Sequence, residues 1–217
     1  MMKTNEREYR DFTLGIKLED NDQAEANKVV RGYASTFNQP YELFRFDGGR
    51  YMEQVDARAF DNADMSDVIF QYNHEGRVFA RISNGTLTAT PDEHGLAIEA
   101  NLGGTEIGRG LYDEIRGGYT NKMSFGFTVL EDREDTTYEK NGDDIDRVIL
   151  RTITKVGKVY DVSAVSIPAN DATSISVRNL SDGVIAKIQA ERLAALELGR
   201  QKLKTKLRLE EKRHGKN

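Results

Sequence analysis

Hydrophobic and polar residues alternate along most of residues 10–178, and Gly, Asn and Asp interrupt the alternation at short intervals. In the clearest case Leu96, Ile98, Ala100 and Leu102 share one face of an extended segment, because successive side chains of a strand point to opposite faces. This pattern predicts a body rich in β-strands. The predicted strands are residues 29–37, 68–72, 77–82, 86–90, 96–102, 122–130, 147–156 and 159–167.

One segment inside this body follows the helical period instead of the strand period. It begins at Thr105 and ends at Gly117, two residue types that are common at helix ends. Its apolar residues, spaced four apart on one face, are Ile107, Leu111 and Ile115. The spacing predicts a helix that packs one face onto the strands.

A second predicted helix runs from about residue 181 to about residue 209 and is amphipathic. Its apolar positions fall within an arc of about 100° at the helical period, and they are Ile185, Ile188, Leu196, Leu203 and Leu207. A helix of this kind predicts docking onto a partner, with nucleic-acid contact as the alternative. We therefore expect two regions, a body at 1–179 and a helical extension at 180–217.

The charged stretch 131–146 contains Asn141-Gly142, a dipeptide typical of hairpin tips. It predicts an exposed, mobile excursion from the body. The fold class predicted from all these segments is mainly β with helices (α+β), with an amphipathic helix at the C-terminus.

Charge is distributed unevenly along the chain, although the net charge is only −5. Residues 180–217 carry ten basic and five acidic side chains, which leaves 21 basic and 31 acidic side chains in the first 179 residues. An acidic body argues against nucleic acid as a partner, because phosphate contacts need clustered positive charge. The basic extension at 180–217 is the one region whose charge would suit contact with nucleic acid.

The chain contains no cysteine, which excludes disulfides, thiolate nucleophiles and Cys-type zinc sites. Its first residues are charged rather than apolar, and no stretch approaches the roughly 18–20 apolar residues that a membrane span needs. We expect a soluble, cytoplasmic protein with no membrane partner, no cofactor and no metal.

Only three histidines could serve as a base near neutral pH, namely His74, His94 and His214. His214 lies in the last four residues, and His94 lies in the turn 91–95, where a polar residue beside glycine suits the backbone. His74 follows the apolar strand 68–72, where a rigid strand end can aim its imidazole. A purely structural role is the alternative for a lone histidine at such a place.

One predicted strand places Ser124 and Gly126 on the face opposite Met123, Phe125 and Phe127. Gly126 leaves space beside the hydroxyl, as the backbone of a substrate would require. An ordinary half-exposed strand explains this segment equally well. The G-x-S-x-G motif is missing around this serine, which argues against an α/β-hydrolase.

The predicted strand that ends at Pro168 carries a carboxylate, Asp161, on the same face as Val165 and Ile167. A carboxylate in partly apolar surroundings needs a partner. An imidazole is suitable, because a buried carboxylate that accepts from a histidine N–H fixes its tautomer. A backbone or arginine partner is the alternative.

These stretches form an ordered series with several shorter motifs, namely residues 30–40, 53–60, 72–74, 95–96, 123–127, 161–163 and 168–170. In order and content the series resembles the prohead (capsid maturation) proteases of tailed bacteriophages, typified by that of phage HK97. The resemblance covers about residues 29–178. The chain departs from it at Asp161, where the family often has Glu, and at 56–58, where a Pro-Gly pair is common.

The resemblance implies an assemblin-like, closed or partly open β-barrel flanked by helices. It also implies a serine endopeptidase that processes phage capsid and scaffold proteins during prohead maturation and often cleaves itself. Ser124 would be the nucleophile, His74 the general base and Asp161 the residue that orients His74. The substrates would be the major capsid protein and its scaffolding segment, inside the immature capsid in the host cytoplasm, and a homo-oligomer is left open.

Three alternatives stay open at the level of sequence. One is a non-enzymatic capsid-assembly or scaffold protein, and another is a Ser/His/His arrangement in which His94 is the third member. The third is a metallohydrolase, for which the H-E-x-x-H pair is missing. A histidine base with an unperturbed pKa predicts that activity falls as pH drops through about 6.5.

Overall fold

The computed structural model of this chain describes residues 7–12, 16–18, 27–166 and 175–214. The chain divides into two compact units, Met1–Val177 and Arg178–Asn217. The described residues are mainly β with two α-helices, an α+β composition. The elements are β1 Glu8–Phe12, β2 Lys17–Leu18, β3 Val29–Thr36, β4 Tyr41–Phe46, β5 Gly49–Val55, β6 Ile69–Tyr72, β7 Glu75–Arg81, β8 Leu87–Pro91, β9 Gly95–Asn101, α1 Glu106–Arg116, β10 Lys122–Asn141, β11 Asp144–Val165 and α2 Ile175–His214.

The larger sheet is organised around the long strand β11. Along its whole length β11 pairs antiparallel with β10. On its other edge, residues 147–153 pair parallel with β5 and residues 161–164 pair parallel with β6. Because β1 pairs antiparallel with β10, the order of strands at the C-terminal end of β11 is β1, β10, β11, β6 and β7.

The smaller sheet has the order β2-β3-β9-β8, and its strand β9 has the predicted alternation. Leu96, Ile98 and Ala100 are buried, whereas Ala97 and Glu99 are only half-buried. These apolar faces form one core with the apolar face of the larger sheet. Within the described residues the strands form these two sheets, and no closed barrel is found.

Helix α1 forms where the sequence predicts it. The Thr105 hydroxyl accepts from the backbone N–H of Gly108, which satisfies one of the free donors at the helix start. Leu111 and Ile115 are buried in the core, whereas Ile107 in the first turn is 37% exposed. The packed face therefore begins one turn later than the sequence pattern indicates.

The charged stretch 131–146 is exposed as predicted, but it is not an irregular excursion from the sheet. Strands β10 and β11 stay paired through it, as far as Asn141 opposite Asp144. The hairpin tip is confirmed, and Gly142 has the positive φ of 63° that such tight turns require. Residues such as Thr136 and Val148 suit strand pairing, so charge content alone misled the prediction.

Helix α2 begins earlier and ends later than predicted, at Ile175 and His214. Its exposed leucines include Leu196, Leu198 and Leu203. At 100° per residue, Leu198 lies about 160° around the helix from Leu196, so exposed apolar side chains are not confined to the single predicted stripe. Among the described helices, none combines the length and apolar content required to span a membrane.

Candidate functional site

Three adjacent strands of the larger sheet bring the predicted site residues together. Ser124 of β10 lies opposite Ser163 of β11, and Gly126 lies opposite Asp161. The parallel pairing of β6 with the same part of β11 ends at Tyr72, opposite Ala164. His74, two residues further along the chain, is thereby delivered to the edge where Ser124 and Asp161 lie.

The side chains of Ser124, His74 and Asp161 form one hydrogen-bonded series. Nε2 of His74 lies 2.6 Å from Oγ of Ser124, and Nδ1 of His74 contacts Oδ2 of Asp161 on its other side. The Ser163 hydroxyl donates to the same Asp161 oxygen across 3.0 Å. A hydroxyl, an imidazole and a carboxylate in this order can pass a proton from oxygen to ring nitrogen.

His74 occupies an unusual backbone conformation in the two-residue turn between β6 and β7. Asn73 and His74 have φ values of 49° and 60°, and Tyr72 pairs with Glu75 across the turn. Positive φ at both central residues is the geometry of a type I′ hairpin, which favours Asn followed by Gly. A histidine in the second position is strained by the clash of its Cβ, and such strain tends to occur at functional sites.

We therefore expect His74→Gly to be more stable than His74→Ala by about 1 kcal/mol, because only glycine adopts this backbone without a Cβ clash. Both variants lose the imidazole, so its contacts cancel in the comparison. Urea unfolding measures the difference. The same pair of substitutions at Thr88, an exposed β8 residue outside the positive-φ set, should give the reverse order; an alanine variant at 74 as stable as the glycine variant would contradict the left-handed turn.

Strand β1 covers the serine and the histidine. The backbone of β1 pairs with β10 so that Asp11 lies opposite Ser124, and the Tyr9 ring packs edge-on against the His74 ring at a centroid distance of 4.5 Å. Ser124 is completely buried, and the His74 side chain is 14% exposed. The space beside the hydroxyl is consequently filled in this structure.

The predicted open space at Gly126 is also filled, and this corrects the sequence interpretation. A Cβ added there would come within 2.8 Å of the Arg7 guanidinium and 2.9 Å of the Tyr9 ring, and it would also meet the Asp161 carboxylate. Glycine is needed at this position because Asp161 approaches the β10 backbone closely. The glycine therefore makes room for the carboxylate that contacts His74.

The electrostatic surroundings of His74 favour the neutral ring. Burial, followed by the positive charge of Arg7, lowers the pKa of His74 to about 4. Arg7 also forms an ion pair with Oδ1 of Asp161, so its charge offsets the carboxylate that would otherwise stabilise an imidazolium. The ring therefore stays neutral, and available to accept the proton of Ser124, at pH values well below 7.

A second buried polar group, the ion cluster of Glu8, Arg10, Glu53 and Arg151, was not predicted from the sequence. Arg10 donates to both carboxylate oxygens of Glu53, at 2.5 and 3.0 Å. Arg151 donates to Glu53 at 2.8 Å and to Glu8 at 2.9 Å. Arg10 is 1% exposed and Glu53 is completely buried.

The ion cluster keeps Glu53 charged in the interior of the sheet. Burial would raise the pKa of Glu53, but Arg10 and Arg151 outweigh burial and lower it to about 2. One sequence signal could have identified the cluster. Glu53 shares its strand face with Tyr51 and Val55, both buried, and a carboxylate in such a period-two series requires a partner.

The other sequence candidates lie elsewhere. His94 lies in the β8–β9 turn, its side chain 68% exposed and its ring against Tyr33, so Asp161 rather than His94 accompanies His74. The motif 168–170 falls outside the described residues. In the part of the chain that is described, no group of three or more His, Asp or Glu side chains is arranged to hold a metal ion.

Comparison with known proteins supplies an independent observation. A family model described as caudovirus prohead serine protease matches residues 15–185 of this chain. Searches of curated proteins and of solved structures gave no significant match. The matched region includes Ser124, His74 and Asp161, and it begins after β1.

Proposed function

The chain belongs to the caudovirus prohead serine protease family, and from this premise we propose that Ser124, His74 and Asp161 form its catalytic centre. The family makes the protein a serine peptidase. The observation that supports the assignment of residues is the contact series from the Ser124 hydroxyl through His74 to Asp161. These are also the residues at which the chain's motifs resemble the family.

In the proposed reaction Ser124 Oγ forms a bond to the carbonyl carbon of the substrate while Nε2 of His74 takes the hydroxyl proton. The tetrahedral intermediate then expels the amine, which receives that proton from His74. Water attacks the resulting acyl-enzyme with His74 again as base, and the acid product and free Ser124 are released. Asp161 holds the Nδ1–H tautomer and stabilises the imidazolium that forms.

We further propose that the substrates are the major capsid protein and its scaffolding segment, processed inside the immature capsid in the host cytoplasm. Self-cleavage belongs to the same proposal. The first unit, Met1–Val177, would be the peptidase, and the basic extension would attach the enzyme to the capsid or scaffold. We also propose a distant relation of the two-sheet body to the assemblin fold.

A small organophosphonate that reacts with activated serine hydroxyls tests the catalytic centre directly. We expect one adduct per chain, located on Ser124 by peptide mass mapping, because the Ser124 hydroxyl lies at hydrogen-bond distance from Nε2 of His74, the nitrogen that accepts its proton. Ser163 is also buried, but it donates to Asp161 and lies 3.2 Å from Nδ1 of His74, the nitrogen that carries the proton in the proposed tautomer. It therefore serves as the internal control and should stay unmodified. A chain that forms no adduct would favour a non-enzymatic scaffold protein and would refute the proposed centre.

The rate of this labelling should stay constant from neutral pH down to about pH 5 and fall with a midpoint near 4, because the pKa of His74 is lowered to about 4. The reaction needs the neutral ring, so protonation at lower pH stops it. This replaces the midpoint of about 6.5 expected for an unperturbed histidine. Rates are measured across this range, with far-UV circular dichroism at each pH as the control for folding.

Arg7→Gln provides the matched variant for the pH experiment. Removal of the guanidinium leaves the Asp161 charge uncompensated beside His74, so the pKa of the ring and the midpoint of labelling should both rise. An unchanged midpoint would show that Arg7 does not contribute to the low pKa.

A further inference from the structure

Strand β1 contacts the proposed catalytic residues in the manner of a bound peptide substrate. It pairs antiparallel, from Glu8 to Phe12, with the edge of β10 that does not pair with β11. Many domains bind extended peptides by adding them as a strand to a sheet edge in this way. Oγ of Ser124 lies 2.9 Å from the carbonyl oxygen of Arg10. Arg10 is therefore the residue of β1 whose carbonyl group lies next to the proposed nucleophile.

The side chains of Tyr9 and Arg10, consecutive residues of β1, lie on opposite faces of the sheet. Tyr9 lies against the ring of His74, on the face of the proposed nucleophile. Arg10 points to the opposite face, where its guanidinium lies 5.8 Å from the centre of the Phe127 ring. An extended substrate that paired with β10 as β1 does would place one side chain against His74, as Tyr9 is placed, and the next side chain in the ion cluster, as Arg10 is placed.

Glu53, which belongs to β5 and not to β1, is suited to bind a basic side chain. Glu53 offers both carboxylate oxygens to Arg10 in a forked arrangement, which matches a guanidinium better than an ammonium. The Tyr41 hydroxyl donates to Glu53 at 2.6 Å and fixes the orientation of the carboxylate. An apolar side chain in place of Arg10 would leave part of the buried Glu53 charge without a partner.

We propose that Glu53 is the specificity-determining residue of this peptidase and selects substrates with an arginine immediately before the cleaved bond. Strand β1 occupies that site as an intramolecular, substrate-like inhibitor. The proposal rests on the proposed function, because it assigns the pocket of the same serine.

Two observations support the inhibitor role of β1. The hydroxyl of Ser124 has one proton, so the bond it donates to the Arg10 carbonyl competes with donation to His74. In addition, the family match begins at residue 15, after the end of β1 at Phe12. The segment that fills the site thus lies outside the matched region.

The test compares two peptidyl phosphonate esters that differ in one side chain, a guanidinium-bearing one and an unbranched alkyl chain of equal length. Both must displace β1 from the full-length protein, so the cost of displacement cancels in the ratio of their labelling rates at Ser124. We expect the guanidinium probe to react about 100-fold faster, because the other leaves a buried polar group without its partner. Equal rates, or a faster alkyl probe, would overturn the proposal.

Glu53→Gln and Glu131→Gln are the matched variants. Both remove one negative charge, but Glu131 is exposed and pairs with Lys155. We expect Glu53→Gln to reduce the ratio by at least about 10-fold and Glu131→Gln to leave it unchanged. If Glu53→Gln fails to fold, the wild-type ratio alone decides.

The small organophosphonate, which has no such side chain, separates this proposal from the proposed function. An adduct of the small probe on Ser124 together with equal rates for the two peptidyl probes would reject the specificity and keep the catalytic centre. Arg10→Ala removes the side chain that holds β1 in the ion cluster, and it should let the small organophosphonate label Ser124 faster than in wild type. If none of the three probes reacted with Ser124 in wild type or in Arg10→Ala, both proposals would be rejected.

Discussion

Ser124→Ala should abolish processing of the proposed substrate, a co-expressed major capsid protein, with a loss on the order of 10⁶-fold in turnover. The substitution removes the atom that would form the acyl-enzyme, and the remaining groups cannot provide a substitute nucleophile at this position. Intact-mass analysis of both proteins measures the result. Wild type should yield shortened capsid protein, and Ser124→Ala should yield only full-length chains.

The fold should survive this change. Loss of the hydroxyl removes its hydrogen bonds to the Arg10 carbonyl and to His74, which should lower the free energy of unfolding by about 1–3 kcal/mol. A urea unfolding curve and a circular dichroism spectrum provide the control. Ser35→Ala is the matched variant, because it removes another completely buried serine hydroxyl, one that donates to the Thr36 carbonyl and not to the proposed site. Undiminished cleavage by folded Ser124→Ala would eliminate this serine from the mechanism.

Ser124→Cys adds a separate measure of activation by the base. The chain contains no cysteine, so the introduced thiol is the only one that an alkylating reagent can modify. We compare its alkylation rate in Ser124→Cys and in the double variant Ser124→Cys/His74→Ala. A faster rate with His74 present shows that the imidazole promotes formation of the thiolate.

The candidate site could be predicted because each of its residues follows or interrupts a regular local pattern. Ser124 stands opposite an apolar face, His74 follows a short apolar strand, and Asp161 lies in an apolar alternation. Their meeting was inferred from resemblance and not from periodicity. In the structure the parallel pairing of β6 with β11 brings them together, and pairing of strands distant in sequence leaves no local signal.

The parts of the fold that escaped prediction depend on long-range pairing. Strands β1, β4 and β5 were not predicted, although β5 carries Glu53. Strand β1 holds a charged sequence, Glu8 to Phe12, whose place in the sheet depends on the partners that Glu53 and Arg151 provide. Local propensity cannot reveal a buried ion cluster whose charges are compensated by residues up to 143 positions away.

Strand β11 links the two functional regions of the larger sheet. One part of it carries Arg151, which holds Glu53 in the ion cluster. Another part carries Asp161, which contacts His74. Since β11 is continuous between them, the proposed pocket and the proposed catalytic centre are fixed relative to each other by one strand and its neighbour β10.

Asp161→Asn should reduce turnover by about 10⁴-fold while the chain stays folded. The amide of asparagine can donate to Nδ1 of His74, which favours the tautomer with its proton on Nε2. That tautomer cannot accept the hydroxyl proton of Ser124. We expect the loss in kcat rather than in KM, measured on a peptide that the wild-type enzyme cleaves, because Asp161 orients the base and contacts no substrate.

Two variants distinguish this role from a general effect of removing a carboxylate. Asp64→Asn makes the same change at a surface residue that pairs with Lys158, and it should leave turnover unchanged. Asp161→Glu should recover more activity than Asp161→Asn, because a carboxylate again faces Nδ1. If Asp161→Asn retained turnover within about 10-fold of wild type while His94→Ala lost it, a Ser/His/His arrangement would be required, and the contact between Asp161 and His74 would then be structural.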